Sequence, residues 1–416
     1  MSRTLTDKPF SYAGLNGCAR DFPVLNQEIH GNRLVFLDSA ASAQRPQQVL
    51  DAVHHYETHD HANVHRGVHT LSQRATDAYE GARKNLAHFI GAATEKELVF
   101  VRGTTEAINL VANAFLAPRL ESGDEILVTE LEHHANIVPW QLLAERQGAK
   151  LVIVPINDRG EISVDDFKER LSSRTKLAAI AHVSNALGTV LPVAELCAVA
   201  REKNVPVLVD GAQGVPHGSV NVEGLGCDFY AFSAHKMYGP TGIGALYAKT
   251  ERLEQMQPWQ GGGDMILEVD FAGTTYNDIP FRFEAGTPNI SGTVGMTAAA
   301  AYLSALGPDN IHNYESDLLA YATNALLAVD GINLVGTASN KASVLSFSMD
   351  GAHPHDIGTI LDHQGVAIRT GHHCAMPVMK RFGLPGTARA SIGVYNGTDD
   401  IDQLVEGLVL CKKMLS

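Results

Sequence analysis

Short unbroken apolar runs alternate with stretches of helical periodicity along most of this chain. Ala75, Ala78, Tyr79, Ala82, Leu86 and Phe89 recur at helical spacing and stop at Gly91, which predicts a helix. Leu98 to Val101 is a continuous apolar run closed by Arg102-Gly103, which predicts a buried strand. Similar runs recur at Ile126 to Val128, Leu151 to Val154, Leu177 to Ile180 and Val207 to Val209, each followed by polar residues and then a helical pattern. That alternation predicts an α/β fold with a mainly parallel sheet. Gly261-Gly262-Gly263 and Phe283-Glu284-Ala285-Gly286-Thr287-Pro288 then interrupt it. Beyond Gly295, two long helical patterns precede strands at Val344 to Ser348 and Val366 to Ile368, and a last helix starts near Asp400. The expected organisation is an N-terminal arm (1–30) packing on the smaller domain, a large α/β domain (31–293), and a small C-terminal α+β domain (294–416). No internal repeat is evident.

Composition narrows the class. A chain of 416 residues with 45% hydrophobic content is long enough to bury a substantial core. The formal net charge of -14, without a basic run, excludes nucleic acid or an anionic membrane surface as the main partner. The five cysteines (Cys18, Cys197, Cys227, Cys374, Cys411) are scattered and lack CxxC spacing, which argues against a disulfide framework and for a reducing compartment. With neither a signal-like leader nor an apolar run of membrane-spanning length, a cytoplasmic protein is expected.

In open α/β sheets, ligands sit at the carboxyl ends of strands. The residues just after the predicted strands are Thr104-Thr105, His133, Asn185, Asp210 and Gln213. Downstream, Lys236 lies in Asp228-Phe229-Tyr230-Ala231-Phe232-Ser233-Ala234-His235-Lys236-Met237-Tyr238-Gly239-Pro240. An Asp at a strand end, a Gln three residues on and a lysine after Ser-x-His are what a pyridoxal 5'-phosphate site needs. The carboxylate serves the pyridinium nitrogen, and the lysine holds the cofactor covalently and moves the substrate Cα proton. Gly103-Thr104-Thr105 opens a helix and offers hydroxyl and N–H donors to an anion, with Ser233 and His235 adding more. Six histidines lie between His54 and His69, and the pairs His55/His59 and His65/His69 have i,i+4 spacing. Without HExxH or a nearby cysteine, no functional metal is expected.

At Ser233-Ala234-His235-Lys236 the chain resembles the class V, fold-type I pyridoxal-phosphate enzymes. At Arg369-Thr370-Gly371-His372-His373-Cys374-Ala375-Met376-Pro377 it resembles their SUF-type (SufS-type) cysteine desulfurases, a likeness running from about Asp21 to the C-terminus. The resemblance implies a seven-stranded, mainly parallel large-domain sheet and a smaller domain carrying a cysteine loop. It implies that Cys374 attacks the sulfur of L-cysteine and carries the persulfide, that His133 stacks on the cofactor ring and exchanges a proton with the substrate thiol, and that Asn185 and Gln213 contact the phenolic oxygen. Arg389 then holds the substrate carboxylate, with Arg369, Asn185 and Arg66 nearby, and Arg369 and the loop histidines favour the thiolate. Thr287 reaches the phosphate from the neighbouring subunit of a homodimer. A SufE- or SufU-like acceptor would take the sulfur for iron–sulfur cluster assembly. Two features depart from the family's familiar form: Ala234 replaces a glycine common in Ser-Gly-His-Lys, and the cysteine loop is short, so a partner must come to it. Selenocysteine lyase is the nearest alternative. An aminotransferase leaves Cys374 without a task, and a non-catalytic binding protein leaves the Lys236, Asp210, Cys374 and Arg389 set unexplained.

Overall fold

The computed structural model describes Leu15 and residues 17–415. At its centre lie β1 (Leu98–Val101), β2 (Glu125–Thr129), β3 (Lys150–Val154), β4 (Thr175–Ala181), β5 (Val207–Asp210), β6 (Phe229–Ser233) and β7 (Gly244–Ala248). They form one seven-stranded sheet in the order β1-β7-β6-β5-β4-β2-β3. β7 is antiparallel to both its neighbours, and every other strand runs one way. Five of the seven coincide with the apolar runs of the sequence. β6 reads there as part of the lysine motif, and β7, Gly-Ala-Leu-Tyr-Ala, is rich in residues of low strand propensity.

Each strand serves two cores. Val99, Val101, Leu208 and Phe229 point into one hydrophobic cluster, and their neighbours Leu98, Phe100, Val207 and Tyr230 into the other. A side-chain period of two with both faces covered buries both sets of positions in the inner strands, so these read as unbroken apolar runs, whereas the edge strand β3 leaves Ile153 exposed. The shared strand direction then brings the carboxyl ends of β1, β2, β4, β5 and β6 to one edge.

The C-terminal sheet is antiparallel: β8 (Ile332–Val335), β9 (Val344–Met349), β10 (Arg369–Gly371) and β11 (Thr387–Ser391), in the order β8-β9-β11-β10. The helix Thr398–Leu415 buries Ile401, Leu404, Leu408 and Cys411, one apolar stripe at helical spacing. The strand expected over Val366 to Ile368 is shorter: Val366–Ala367 pairs in parallel with Val35–Phe36, and β10 begins at Arg369. That pairing, with a bridge between Asp38 and Ser391, stitches the N-terminal part of the chain to the C-terminal sheet.

The expected boundary at 293/294 falls inside the helix Ile290–Leu306, which packs on the helices Gln47–His55 and Thr70–Phe89. Half of the expected arm, residues 1–14 and 16, lies outside the described residues. Within the described part, Phe22 meets Tyr395 edge-on at 4.8 Å and also touches Tyr238 and Tyr302, each at 5.8 Å. Among the described residues no single helix is long and apolar enough to cross a membrane.

Candidate active site

The strand ends enclose a cleft of about 210 Å³ lined by Thr104, Thr105, His133, Asn185, Asp210, Ser233, His235 and Lys236. The C-terminal sheet and its loop close it with Arg369, His373, Cys374 and Arg389. Twelve of the residues singled out from the sequence or by resemblance therefore meet in one place.

Donors for an anion gather at the end of β1. Gly103 has φ 156°, a conformation side chains rarely adopt, and a Cβ on Gly244 would lie 2.7 Å from the Gly103 Cα. Two glycines thus let the loop pack against β7 and turn into the helix beginning at Thr104. The Thr104 hydroxyl and its backbone N–H each lie 2.8 Å from the Ser233 hydroxyl, so strands β1 and β6 bring their hydroxyls together. Ala234 fits without a cavity: it is fully buried, and a Cβ added to Gly239 would come within 3.0 Å of its own Cβ.

Asp210 is buried at the end of β5 and accepts one hydrogen bond there, from the Ala212 N–H at 3.0 Å. Burial raises its carboxyl above the ordinary value, and the Lys236 charge opposes that rise. Burial also lowers the Lys236 ammonium, with Asp210 working the other way and the Arg389 and Arg369 charges adding to the drop. A lysine whose burial disfavours its charged form suits both covalent attachment and proton transfer.

His133 is pushed down to about 3 by burial and by the Lys236 charge, so it is neutral near pH 7. Its Nδ1 accepts from the Ala135 N–H at 3.0 Å, which assigns the ring proton to Nε2. Gln213 lies behind the cleft lining, where its amide donates to the Ala40 carbonyl at 2.6 Å and its side-chain oxygen has no partner.

Arg389 is almost fully buried in β11. It donates to the Asn185 carbonyl at 2.8 Å and to Asp38 at 3.0 Å, while its Nε has no partner. Asp38 also pairs with Arg369 at 3.6 Å. Neither Asp38 nor Ala40 and Ala41 at the cleft rim was singled out in the sequence. The signal was present, because Asp38 directly follows the apolar run Val35 to Leu37, another strand-end position.

Cys374 is exposed, and both it and His373 occupy left-handed backbone conformations, at φ 54° and 52°. The Asn185 amide, expected to face the cofactor, donates to the His373 carbonyl at 2.5 Å. His373 bonds Thr387 at 2.8 Å, and burial pushes it down to about 3. A neutral His373 adds no positive charge beside the thiol, so of the expected thiolate-favouring groups Arg369 is the constant cation in the lining.

Besides Gln213, two expected residues lie outside the lining of this cleft in a single chain. Thr287 is exposed and lines a separate cleft of about 500 Å³ with Glu106, Trp259 and Gln260. Its segment is clamped to β1: Glu284 accepts from the Phe100 N–H at 2.7 Å and pairs with the buried Arg83 at 2.6 Å. Leaving either charge unpaired there costs about 3–5 kcal/mol. Arg66 is largely exposed and lies 3.4 Å from Asp264. Among the described residues no group of three or more His, Cys, Asp or Glu is placed to hold a metal. His55 and His59 stack at 4.6 Å, and His65 bonds Glu80 at 2.8 Å.

The donor set fits pyridoxal phosphate. Paired hydroxyls at a helix start suit its phosphate, a buried carboxylate with spare acceptor capacity suits a protonated ring nitrogen, and a lysine of lowered pKa suits its aldehyde. The orphaned Arg389 Nε and Gln213 oxygen mark places where a bound group completes the hydrogen bonding.

The family model for aminotransferase class-V matches residues 35–404, and the chain belongs to that family. A cysteine desulfurase of Klebsiella pneumoniae subsp. pneumoniae is 52% identical over 396 residues, 95% of this chain and 97% of that one. The solved structure of the cysteine desulfurase CsdA (S-sulfonic acid) from Escherichia coli superposes with a TM-score of 0.90 at 39% identity, covering 98% of this chain and 100% of that one. The apo cysteine desulfurase of Thermococcus onnurineus NA1 gives 0.89 at 40% identity, over 95% and 99% of the two chains. Within the family, the chain belongs with the cysteine desulfurases.

Proposed function

We propose that this protein removes the sulfur of L-cysteine, releases L-alanine and holds the sulfur as a persulfide on Cys374. The observation that carries the reading is the meeting of Lys236, Arg389 and Cys374 in one cleft. Pyridoxal 5'-phosphate is the cofactor, and when bound it supplies an electron sink for the charge left on the substrate Cα. Asp210 holds the proton on the ring nitrogen, and Thr104, Thr105, Ser233 and His235 hold the phosphate. Gln213 and Asn185 would serve the phenolic oxygen only by turning their amides from the Ala40 and His373 carbonyls. Arg389, braced by Asp38 and the Asn185 carbonyl, receives the substrate carboxylate, with Arg369 beside it. Lys236 Nζ takes the Cα proton. The Cys374 thiolate attacks the substrate sulfur: the S–S bond forms, the Cβ–S bond breaks, and its electron pair remains with carbon. The carbon then takes a proton and leaves as L-alanine. His133 covers the ring and exchanges a proton with the substrate thiol through Nε2. The test is to supply L-cysteine with a reductant and quantify sulfide and alanine together. Equal amounts support desulfuration, whereas pyruvate with ammonia overturns it in favour of β-elimination.

Arg389→Lys raises the KM for L-cysteine by about 10–100-fold, the value of a charge-assisted hydrogen bond to the carboxylate. The cofactor absorption band persists in that variant. An unchanged KM removes Arg389 from carboxylate binding.

The working form is a homodimer, in which Thr287 and Arg66 leave their own chain's cleft and serve the partner's. Their exposure, with the segment of Thr287 clamped to β1 through Arg83 and Glu284, supports that reading, and two-fold pairing is the commonest oligomeric symmetry. Sedimentation of the cofactor-saturated enzyme is expected to show a dimer, and an active monomer sinks the assignment. The pinned, exposed cysteine loop calls for an acceptor that approaches it, a SufE- or SufU-like protein of the SUF iron–sulfur assembly system. A thiol that must stay reduced suits the cytoplasm.

A further inference from the structure

We propose that His134 is a positioning residue for sulfur transfer: it tethers the Cys374 loop at two points and holds the thiol in its working, left-handed conformation. The inference rests on Cys374 being the sulfur carrier.

The geometry begins with a carboxyl group. Glu132 is fully buried, and every partner it has is a donor: the Thr129 hydroxyl at 2.5 Å, the Ala181 N–H at 2.9 Å and the Asn136 amide at 2.6 Å. Thr129 closes β2 and Ala181 closes β4, so Glu132 nails the turn 132–136 to the carboxyl edge of the sheet. Trp140 extends the brace by donating its indole N–H to Asn136 at 3.0 Å.

From that fixed turn His134 reaches across to the C-terminal domain twice. Its backbone N–H donates to the Cys374 carbonyl at 2.7 Å, and its ring Nε2 accepts from the Met376 N–H at 3.1 Å. The two bonds span the end of the loop, where His373 and Cys374 are consecutive non-glycine residues at φ 52° and 54°. Side chains disfavour that conformation, and consecutive cases persist only where surrounding contacts hold them. The Asn185 bond to the His373 carbonyl and the His373 bond to Thr387 hold the preceding residue. On the far side of Cys374 the ring of His134 is the side chain that secures the loop. His133 is next in sequence on the same turn, so one rigid element orients both the ring-covering imidazole and the thiol, across two domains.

Three substitutions in the cofactor-loaded enzyme test this. Gln places a side-chain carbonyl near the position of the histidine Nε2, Asn reaches only as far as Nδ1, and Ala supplies no acceptor. His134→Ala is expected to lower kcat for L-cysteine at least about tenfold, the penalty of a misplaced reacting group, with KM within about twofold. His134→Asn behaves as His134→Ala, and His134→Gln stays near wild type. Cα–deuterium exchange of L-alanine in D2O, which needs Lys236 but not Cys374, is expected to be unchanged in all three. Hydrogen exchange in the peptide spanning 371–377 speeds up in the Ala and Asn variants. The proposal is overturned if His134→Ala loads sulfur on Cys374 as fast as wild type, if His134→Gln loses as much as His134→Ala, or if alanine exchange falls in parallel. The wild-type control separates the two readings. Sulfur missing from its Cys374 overturns the desulfurase reading and this one with it, whereas equal loading of wild type and His134→Ala overturns the tether alone.

Discussion

Cys374→Ala binds L-cysteine, exchanges its Cα proton and stalls, with sulfide production down by at least roughly a thousandfold, the scale of losing an enzymic nucleophile. Sulfur leaves carbon only if something accepts it, and Cys374 is the exposed thiol in the cleft, whereas Cys18, Cys197, Cys227 and Cys411 are buried. Burial pushes the thiols of Cys18 and Cys197 up to about 12, which removes them as rival nucleophiles at neutral pH. L-Selenocysteine, with a weaker carbon–selenium bond, is expected to depend less on Cys374. Mass spectrometry of wild type after L-cysteine should find one extra sulfur on the Cys374 peptide and none on peptides carrying the other four. A persulfide elsewhere, or wild-type desulfuration by Cys374→Ala, refutes the assignment.

Lys236→Ala loses turnover by about 10²–10⁴-fold from the missing base alone, and more once covalent attachment is lost. Lys236 is the amine in the cleft whose pKa burial has lowered, and among the described residues no other lysine lines it. The cofactor remains bound through Thr104, Ser233 and Asp210, so the variant should copurify with it, in a form borohydride no longer fixes to the protein. Substantial desulfuration without added amine removes Lys236 from the mechanism.

The strand-end residues were legible because one rule covers them: in a parallel sheet, the residues just past the carboxyl end of a strand face the ligand. Thr104, His133, Asn185 and Asp210 obey it, and so does Asp38, whose signal is faint because its strand is only two residues long and pairs with Val366–Ala367 far along the chain. Lys236 was legible from its motif, whereas the strand leading into it was not, since Phe229–Ser233 carries no boundary signal of its own. The roles of Asn185 and His373 were less visible. Whether an amide donates to a ligand or to a neighbouring carbonyl, and whether an imidazole is charged or buried neutral, depends on tertiary contacts that no local pattern encodes. Thr287 and Arg66 illustrate a further limit, since each sits in a plausible motif yet lies outside its own chain's cleft, and no local pattern says which copy's cleft a residue would serve.

The Asp38–Arg389 pair joins residues 351 positions apart, and the lining of the cleft divides sharply along the chain. Every residue assigned to hold the cofactor within its own chain lies before position 237, while the arginine for the substrate and the thiol lie after 368. Domains fold from the N-terminus as the ribosome releases them. A nascent chain therefore completes a cofactor pocket well over a hundred residues before it possesses a sulfur-handling group, and Asp38 waits for its arginines until β10 and then β11 emerge. The reactive thiol is thus among the last parts to be made, and it enters a site where its reaction partners already stand in place.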